Sequence, residues 1–213
     1  MSEPTTLTSR GGLRLEAEVA RAEHPRAGAV LCHPHPQFGG SMRSLVVGEW
    51  FNALPPAGVT CLRFNFRGVE GSEGGFDDGD GERHDAEAAL DHLAALLPPG
   101  CPILMAGWSF GADIALATAD GRVSAWVAVA PPGRYAPDAV ADDPRPKTIV
   151  FGDRDDLVES DAGRARVAGW KNTVVEVLPG ADHFFVGNTG FIVSLTVDLV
   201  DRVVREARDS GGN

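Results

Sequence analysis

Short apolar runs alternate with longer amphipathic stretches along almost this whole chain, and no other feature restricts its possible folds as tightly. Residues 13–20 alternate apolar and polar side chains, as an edge or half-buried strand does. Residues 27–32, 103–106, 123–130 and 148–151 are short apolar runs, 59–66 alternates around Leu62, Phe64 and Phe66, and 173–178 completes about seven strand candidates. Between them lie helix candidates at 44–54, 82–97, 110–119, 161–168 and 190–207. Strands separated by helices mark βαβ units, which assemble into an α/β fold with a mainly parallel, doubly wound sheet. The wholly apolar runs belong to central strands covered by helices on both faces.

Two segments interrupt the rhythm. Residues 68–81, rich in Gly, Asp and Glu, read as a solvated loop. Residues 131–146 carry prolines at 131, 132, 137, 144 and 146 and are too short for a helical lid domain. No internal repeat is present, and residues 209–213 are expected to fray. At 213 residues and 43% hydrophobic, the chain is expected to form one domain, 1–213, with its core at about 10–207.

The net charge of -11 argues against nucleic acid as a partner, since no basic stripe exists to neutralise phosphates. Cys32, Cys61 and Cys101 fall in or beside apolar runs, with no C-x-x-C spacing. That pattern fits reduced, buried thiols rather than disulfides. The first twelve residues hold no apolar segment of the kind a signal peptide needs, and no run approaches the roughly 20 residues that cross a bilayer. A cytoplasmic protein without a membrane partner is expected.

Within this frame Gly107-Trp108-Ser109-Phe110-Gly111 stands between a strand candidate and a helix candidate. The G-x-S-x-G spelling on a strand-to-helix turn projects a serine hydroxyl beyond the sheet. A side chain at either glycine would collide with the crossing strand and helix. A serine hydroxyl needs a base to take its proton as it attacks, and histidine titrates in the right range. Of six histidines, His24 sits in a polar turn, His84 and His92 on an acidic helix, and His33 and His35 after an early strand. His183 follows the last strand, at the carboxyl end where ligands gather in parallel sheets. A third group must orient the imidazole, and Asp153, Asp155 and Asp156 are all available just past residues 148–151.

Five blocks together carry a resemblance: residues 33–42 (HPHPQFGGSM), 63–68 (RFNFRG), 107–111 (GWSFG), 152–158 (GDRDDLV) and 180–185 (GADHFF). In that order, across about residues 10 to 207, the chain resembles the α/β-hydrolase superfamily, particularly small lidless hydrolases related to the dienelactone hydrolase and serine aminopeptidase-like groups. The resemblance implies a single-domain α/β-hydrolase fold without a cap and a triad in the chain order Ser, Asp, His. It places the acid at Asp155, with Asp153 as the fallback and Asp156 facing solvent or capping a helix. It also implies an oxyanion hole built from the backbone N–H of Phe110 and of a residue in 33–40. Proline has no N–H, so Pro34 and Pro36 are excluded. His35 is expected to supply the amide, with Gln37 second, and the side chain of His33 or His35 to orient the loop. One departure stands out: Glu70 occupies the place of the second glycine in R-G-x-G-x-S, so the 67–72 loop is expected to take another path.

The implied activity is carboxylic-ester hydrolysis of a small acyl substrate by Ser109, His183 and Asp155, with no cofactor and no metal. Thioester or amide hydrolysis is the alternative within the class, and a non-catalytic binding protein the alternative outside it. His33 and His35 also permit a metal-dependent reading, with Asp77, Asp78, Asp80, His84 and Asp85 as partners, although an acidic solvated loop explains those residues better. Phe38, Trp108, Tyr135 and Phe184 are candidates to line a shallow pocket, and Arg134 to meet a substrate carboxylate.

Overall fold

The computed structural model describes residues 2–135 and 138–210. Pro137 and residues 211–213, on which two of the expectations above fall, lie outside them.

Eight strands form one sheet: β1 (Ser2–Thr8), β2 (Arg14–Ala20), β3 (Ala27–Cys32), β4 (Val59–Phe64), β5 (Ile103–Trp108), β6 (Val123–Val129), β7 (Lys147–Gly152) and β8 (Thr173–Leu178). Their order is β1-β2-β4-β3-β5-β6-β7-β8. The β1–β2 and β2–β4 pairs are antiparallel and every other pair is parallel. The helices are α1 (Leu45–Ala53), α2 (Asp80–Leu96), α3 (Phe110–Ala117), α4 (Ser160–Val167) and α5 (Thr189–Ser210).

The expected sheet is therefore present, with eight strands instead of about seven. The extra one, β1, reads Ser-Glu-Pro-Thr-Thr-Leu-Thr and buries only Leu7, so no apolar period marks it in the sequence. Its order comes from pairing along its whole length with β2, from Ser2 opposite Ala20 to Thr8 opposite Arg14. An edge strand held by backbone bonds carries no hydrophobic signature.

The central strands β3, β5 and β7 are buried at every residue. Two helix pairs cover the sheet: α1 packs on α5, and α2 on α3, with β3 touched by members of both pairs. Trp50 of α1 is fully buried, and its indole N–H donates to Thr196 Oγ1 of α5 at 2.9 Å, so the large ring enters the core with its one donor satisfied. Helix α2 begins at Asp80, two residues earlier than expected, because Glu82 accepts the N–H groups of Gly79 (2.9 Å) and Asp77 (3.0 Å). Helix α5 continues to Ser210, past the point where fraying was expected. No helix among the described residues is long and apolar enough to cross a membrane.

Candidate active site

Strand β5 ends at Trp108 and α3 starts at Phe110, leaving Ser109 alone on the turn with φ 55° and ψ -122°. A positive φ costs a non-glycine residue about 1 kcal/mol or more, so the surroundings must impose it. Ser109 N–H donates to Val129 O at 2.8 Å, and its carbonyl accepts the amide of Ala112 at 2.8 Å. The two flanking glycines are required by contact. A Cβ at Gly107 would lie 2.1 Å from the Gly111 carbonyl oxygen, and one at Gly111 would lie 2.3 Å from that of Cys32 and 2.4 Å from that of His33. Strand β5, helix α3 and the end of β3 thus meet backbone to backbone, as the spelling of the motif predicts.

His183 sits in the turn after β8, shaped by Asp182 Oδ1, which accepts the amides of Phe184 (3.0 Å) and Phe185 (3.1 Å). The Trp108 indole donates to the His183 carbonyl at 3.0 Å, tying this turn to the strand that carries the serine. His183 Nε2 is 3.0 Å from Ser109 Oγ, and its Nδ1 is 2.7 Å from Asp155 Oδ2. The Asp155 side chain is fully buried, and Oδ1 accepts the amides of Leu157 (2.8 Å) and Val158 (2.7 Å). Burial pushes this carboxyl up, but the bond from His183 and the two amides outweigh it and leave it below its ordinary value. A carboxylate at Nδ1 keeps the proton on that nitrogen, so the Nε2 lone pair faces Ser109.

The other two carboxylates stand apart. Asp153 is exposed and accepts the Gly180 amide at 2.6 Å, bracketing the loops after β7 and β8. Asp156 is exposed.

His33 and His35 act within the loop after β3. His33 is fully buried, with Nε2 accepting the Phe66 amide (3.0 Å) and Nδ1–H donating to Pro34 O (2.6 Å). Burial pushes it down to about 4, so it is neutral at physiological pH. His35 Nδ1 accepts the Gln37 amide at 3.2 Å, which occupies the second oxyanion candidate inside the loop. His35 Nε2 lies 3.2 Å from Tyr135 Oη. The backbone N–H of His35 has no protein partner among the described residues, and that of Phe110, first in α3, has no intrahelical one. The His35 and Phe110 rings are 5.1 Å apart, which puts the two segments side by side beyond Ser109.

No protein-family profile matches the chain. An α/β serine hydrolase homologue from Coxiella burnetii has a similar structure, with a TM-score of 0.81 and 33% identity over 94% of this chain and 96% of that one. The chain belongs to the α/β-hydrolase family. A serine hydrolase without a lid from Xanthomonas campestris compares at a TM-score of 0.80 and 30% identity, covering 96% of this chain and 94% of that one. An uncharacterized protein of Rickettsia prowazekii is 38% identical over 185 residues, 81% of this chain and 78% of its own.

In this α/β-hydrolase the loop at Glu70, expected to take another path, keeps a glycine-like backbone at that position. Glu70 adopts φ 47°, the left-handed conformation that a glycine would favour, and its Oε2 accepts from Arg43 (3.0 Å) and Asn65 (3.0 Å). Two of the residues proposed for a metal, His33 and Asp85, have other work. Both His33 ring nitrogens are bonded, and buried Asp85 accepts from Arg67 Nε (3.0 Å), Arg67 Nη2 (2.8 Å) and Ser9 Oγ (2.5 Å).

Of the proposed pocket residues, Phe38 and Phe184 are exposed, Tyr135 is half-buried and Trp108 is buried. Arg134 is exposed and lies 3.8 Å from Asp78. Cys32 and Cys61 are buried, with thiols pushed up by desolvation and so poorly nucleophilic, whereas Cys101 is only half-buried.

Sequence reasoning missed Asp113, on α3 one turn past Ser109. It is fully buried and accepts the amides of Gly133 (2.9 Å), Arg134 (2.8 Å) and Tyr135 (3.1 Å). From the other side Arg166 donates to Pro131 O and Pro132 O, each at 2.9 Å. Together they hold the loop that presents Tyr135 to His35. The signal was there: a lone carboxylate in an otherwise apolar helix must find several donors.

Proposed function

We propose that this protein is a serine hydrolase that cleaves carboxylic esters through an acyl-enzyme. The observation that carries the reading is the bonded series from Ser109 Oγ through His183 to Asp155, with distances of 3.0 and 2.7 Å. His183 Nε2 takes the hydroxyl proton as Ser109 Oγ attacks the acyl carbon, and ionised Asp155 stabilises the imidazolium that forms. The carbonyl oxygen, now an alkoxide, is received by the amides of Phe110 and His35, each worth about 3 kcal/mol of barrier. His183 then gives its proton to the departing alcohol, and a water activated by the same nitrogen releases the acid. This chemistry calls for no cofactor.

Esters are the favoured class because their leaving group asks least of the acid step. We take the whole chain to act as one domain on a small acyl substrate, in the cytoplasm, without nucleic acid or membrane as a partner. The charge of -11 supports the exclusion of nucleic acid.

A matched panel of p-nitrophenyl esters, thioesters and anilides tests the reading. Ester turnover that exceeds the other two, and that Ser109→Ala abolishes, supports it. Faster thioester or anilide turnover favours the alternatives within the class. No turnover of any of them points to a binding protein on this fold.

A further inference from the structure

The proposed mechanism gives the two sides of Ser109 different tasks, and the surface around it is correspondingly uneven. The carbonyl oxygen belongs on the side of His35 and Phe110. The leaving alcohol belongs beside His183, because Nε2 must reach the alcohol oxygen to protonate it. Whatever borders His183 therefore borders the alcohol.

That border is apolar and exposed. Seven large hydrophobic residues are exposed among those described, and three of them, Leu157, Phe184 and Val186, lie on the two loops that supply Asp155 and His183. Phe184 is 55% exposed, and its ring stands edge-on to His183 at 5.9 Å and to Trp108 at 6.4 Å. The Trp108 ring is held by its own bond to the His183 carbonyl. The exposed Phe184 ring, backed by the buried Trp108, therefore stands open to water beside His183. On the opposite side, among the described residues, Phe38 is exposed as well, at 85%, with its ring 4.7 Å from that of His35. Exposed apolar surface gathered at a reactive group marks a contact that a ligand completes.

We propose that Phe184 and Trp108 form the leaving-group subsite and that the natural substrate is an ester of an aromatic or otherwise bulky apolar alcohol. The inference rests on the serine-hydrolase reading and adds to it the chemical class of the alcohol. Phe184 is the specificity-determining residue: its free face takes the alcohol's ring while Nε2 of His183 takes the oxygen.

Benzyl acetate and ethyl acetate share an acyl group and have leaving alcohols of similar acidity, so their kcat/KM ratio reads the subsite with the chemistry held constant. The wild type is expected to favour the benzyl ester by roughly 10-fold, the yield of one well-placed aromatic contact. Phe184→Ala is expected to reduce that preference by roughly 3- to 10-fold, and Phe184→Trp to retain it. Phe38→Ala, on the side of His35 that receives the carbonyl oxygen, is expected to leave the ratio where it was. Phe184 is exposed, so its variants are expected to fold, which a melting curve checks. A wild-type ratio near one, or a ratio that Phe184→Ala does not move, overturns the inference while leaving the serine mechanism standing. Failure to cleave either ester overturns the ester-hydrolase reading, and the inference with it.

Discussion

Replacing Asp155 by Asn separates the two roles assigned to this carboxylate. An asparagine can keep its carbonyl oxygen on the amides of Leu157 and Val158, which now bond Oδ1 at 2.8 and 2.7 Å. Its NH2 group then faces His183 Nδ1 across the former 2.7 Å contact. Two donors cannot face each other, so the imidazole proton moves to Nε2 and points at Ser109, removing the lone pair that takes the hydroxyl proton. The variant also loses the charge opposite the imidazolium. Unit charges about 4 Å apart at an effective dielectric of 20 interact by about 4 kcal/mol, or about a thousandfold in rate. With the tautomer penalty added, kcat is expected to fall by about 10³ to 10⁴. Stability is expected to fall by only about 1–3 kcal/mol, the worth of one charge-assisted bond. Initial rates on a p-nitrophenyl ester, alongside urea unfolding, read both numbers. Asp153→Asn is the control: its carboxylate serves an exposed turn amide, and kcat is expected to stay within about twofold. Retention of activity within tenfold by Asp155→Asn, or a larger loss in Asp153→Asn, would refute the assignment.

Two further expectations concern the scaffold. His33 is held at about 4, below its unfolded value, so the folded state binds fewer protons between that value and about 6.5. Its contribution is complete above pH 6.5 and is lost as pH falls through this window, by about 3 kcal/mol. Urea midpoints at pH 7, 5.5 and 4.5 should show the decline, and a steep, unchanged decline in His33→Gln would contradict it. Gly111→Ala would press a Cβ to within 2.3 Å of the Cys32 carbonyl oxygen, and is expected to cost more than about 3 kcal/mol or to abolish soluble expression. At Gly121 a Cβ meets nothing within 4 Å, and Gly121→Ala is expected to stay within about 0.5 kcal/mol; equal midpoints for the two variants would contradict the packing argument.

The parts of the fold that were legible in the sequence are those whose order comes from apolar burial. Strand β3 matches its expected bounds because its six residues form an unbroken, wholly buried run between turn residues. Strand β1 was not legible, because backbone pairing and not side-chain burial orders it. At the candidate site the same division holds. Ser109 and His183 could be picked out by their places after strands, whereas three adjacent carboxylates look alike until the backbone turns one inward. Asp155 is the one whose two amide bonds aim its free oxygen at His183. Asp113, a lone carboxylate in an apolar helix, signalled a need for donors, but its partners and those of Arg166 on the loop after β6 are main-chain groups, for which the sequence carries no specific letter.

The central claim is that Ser109 is a nucleophile activated by His183. Intact-protein mass spectrometry after treatment with a fluorophosphonate tests it most directly, since the probe phosphonylates only a serine that a neighbouring base has activated. The wild type should gain the mass of one adduct, with Ser109→Ala gaining none and His183→Ala reacting far more slowly. An unmodified wild type, or a Ser109→Ala variant that still takes up the label at the same rate, would contradict the account.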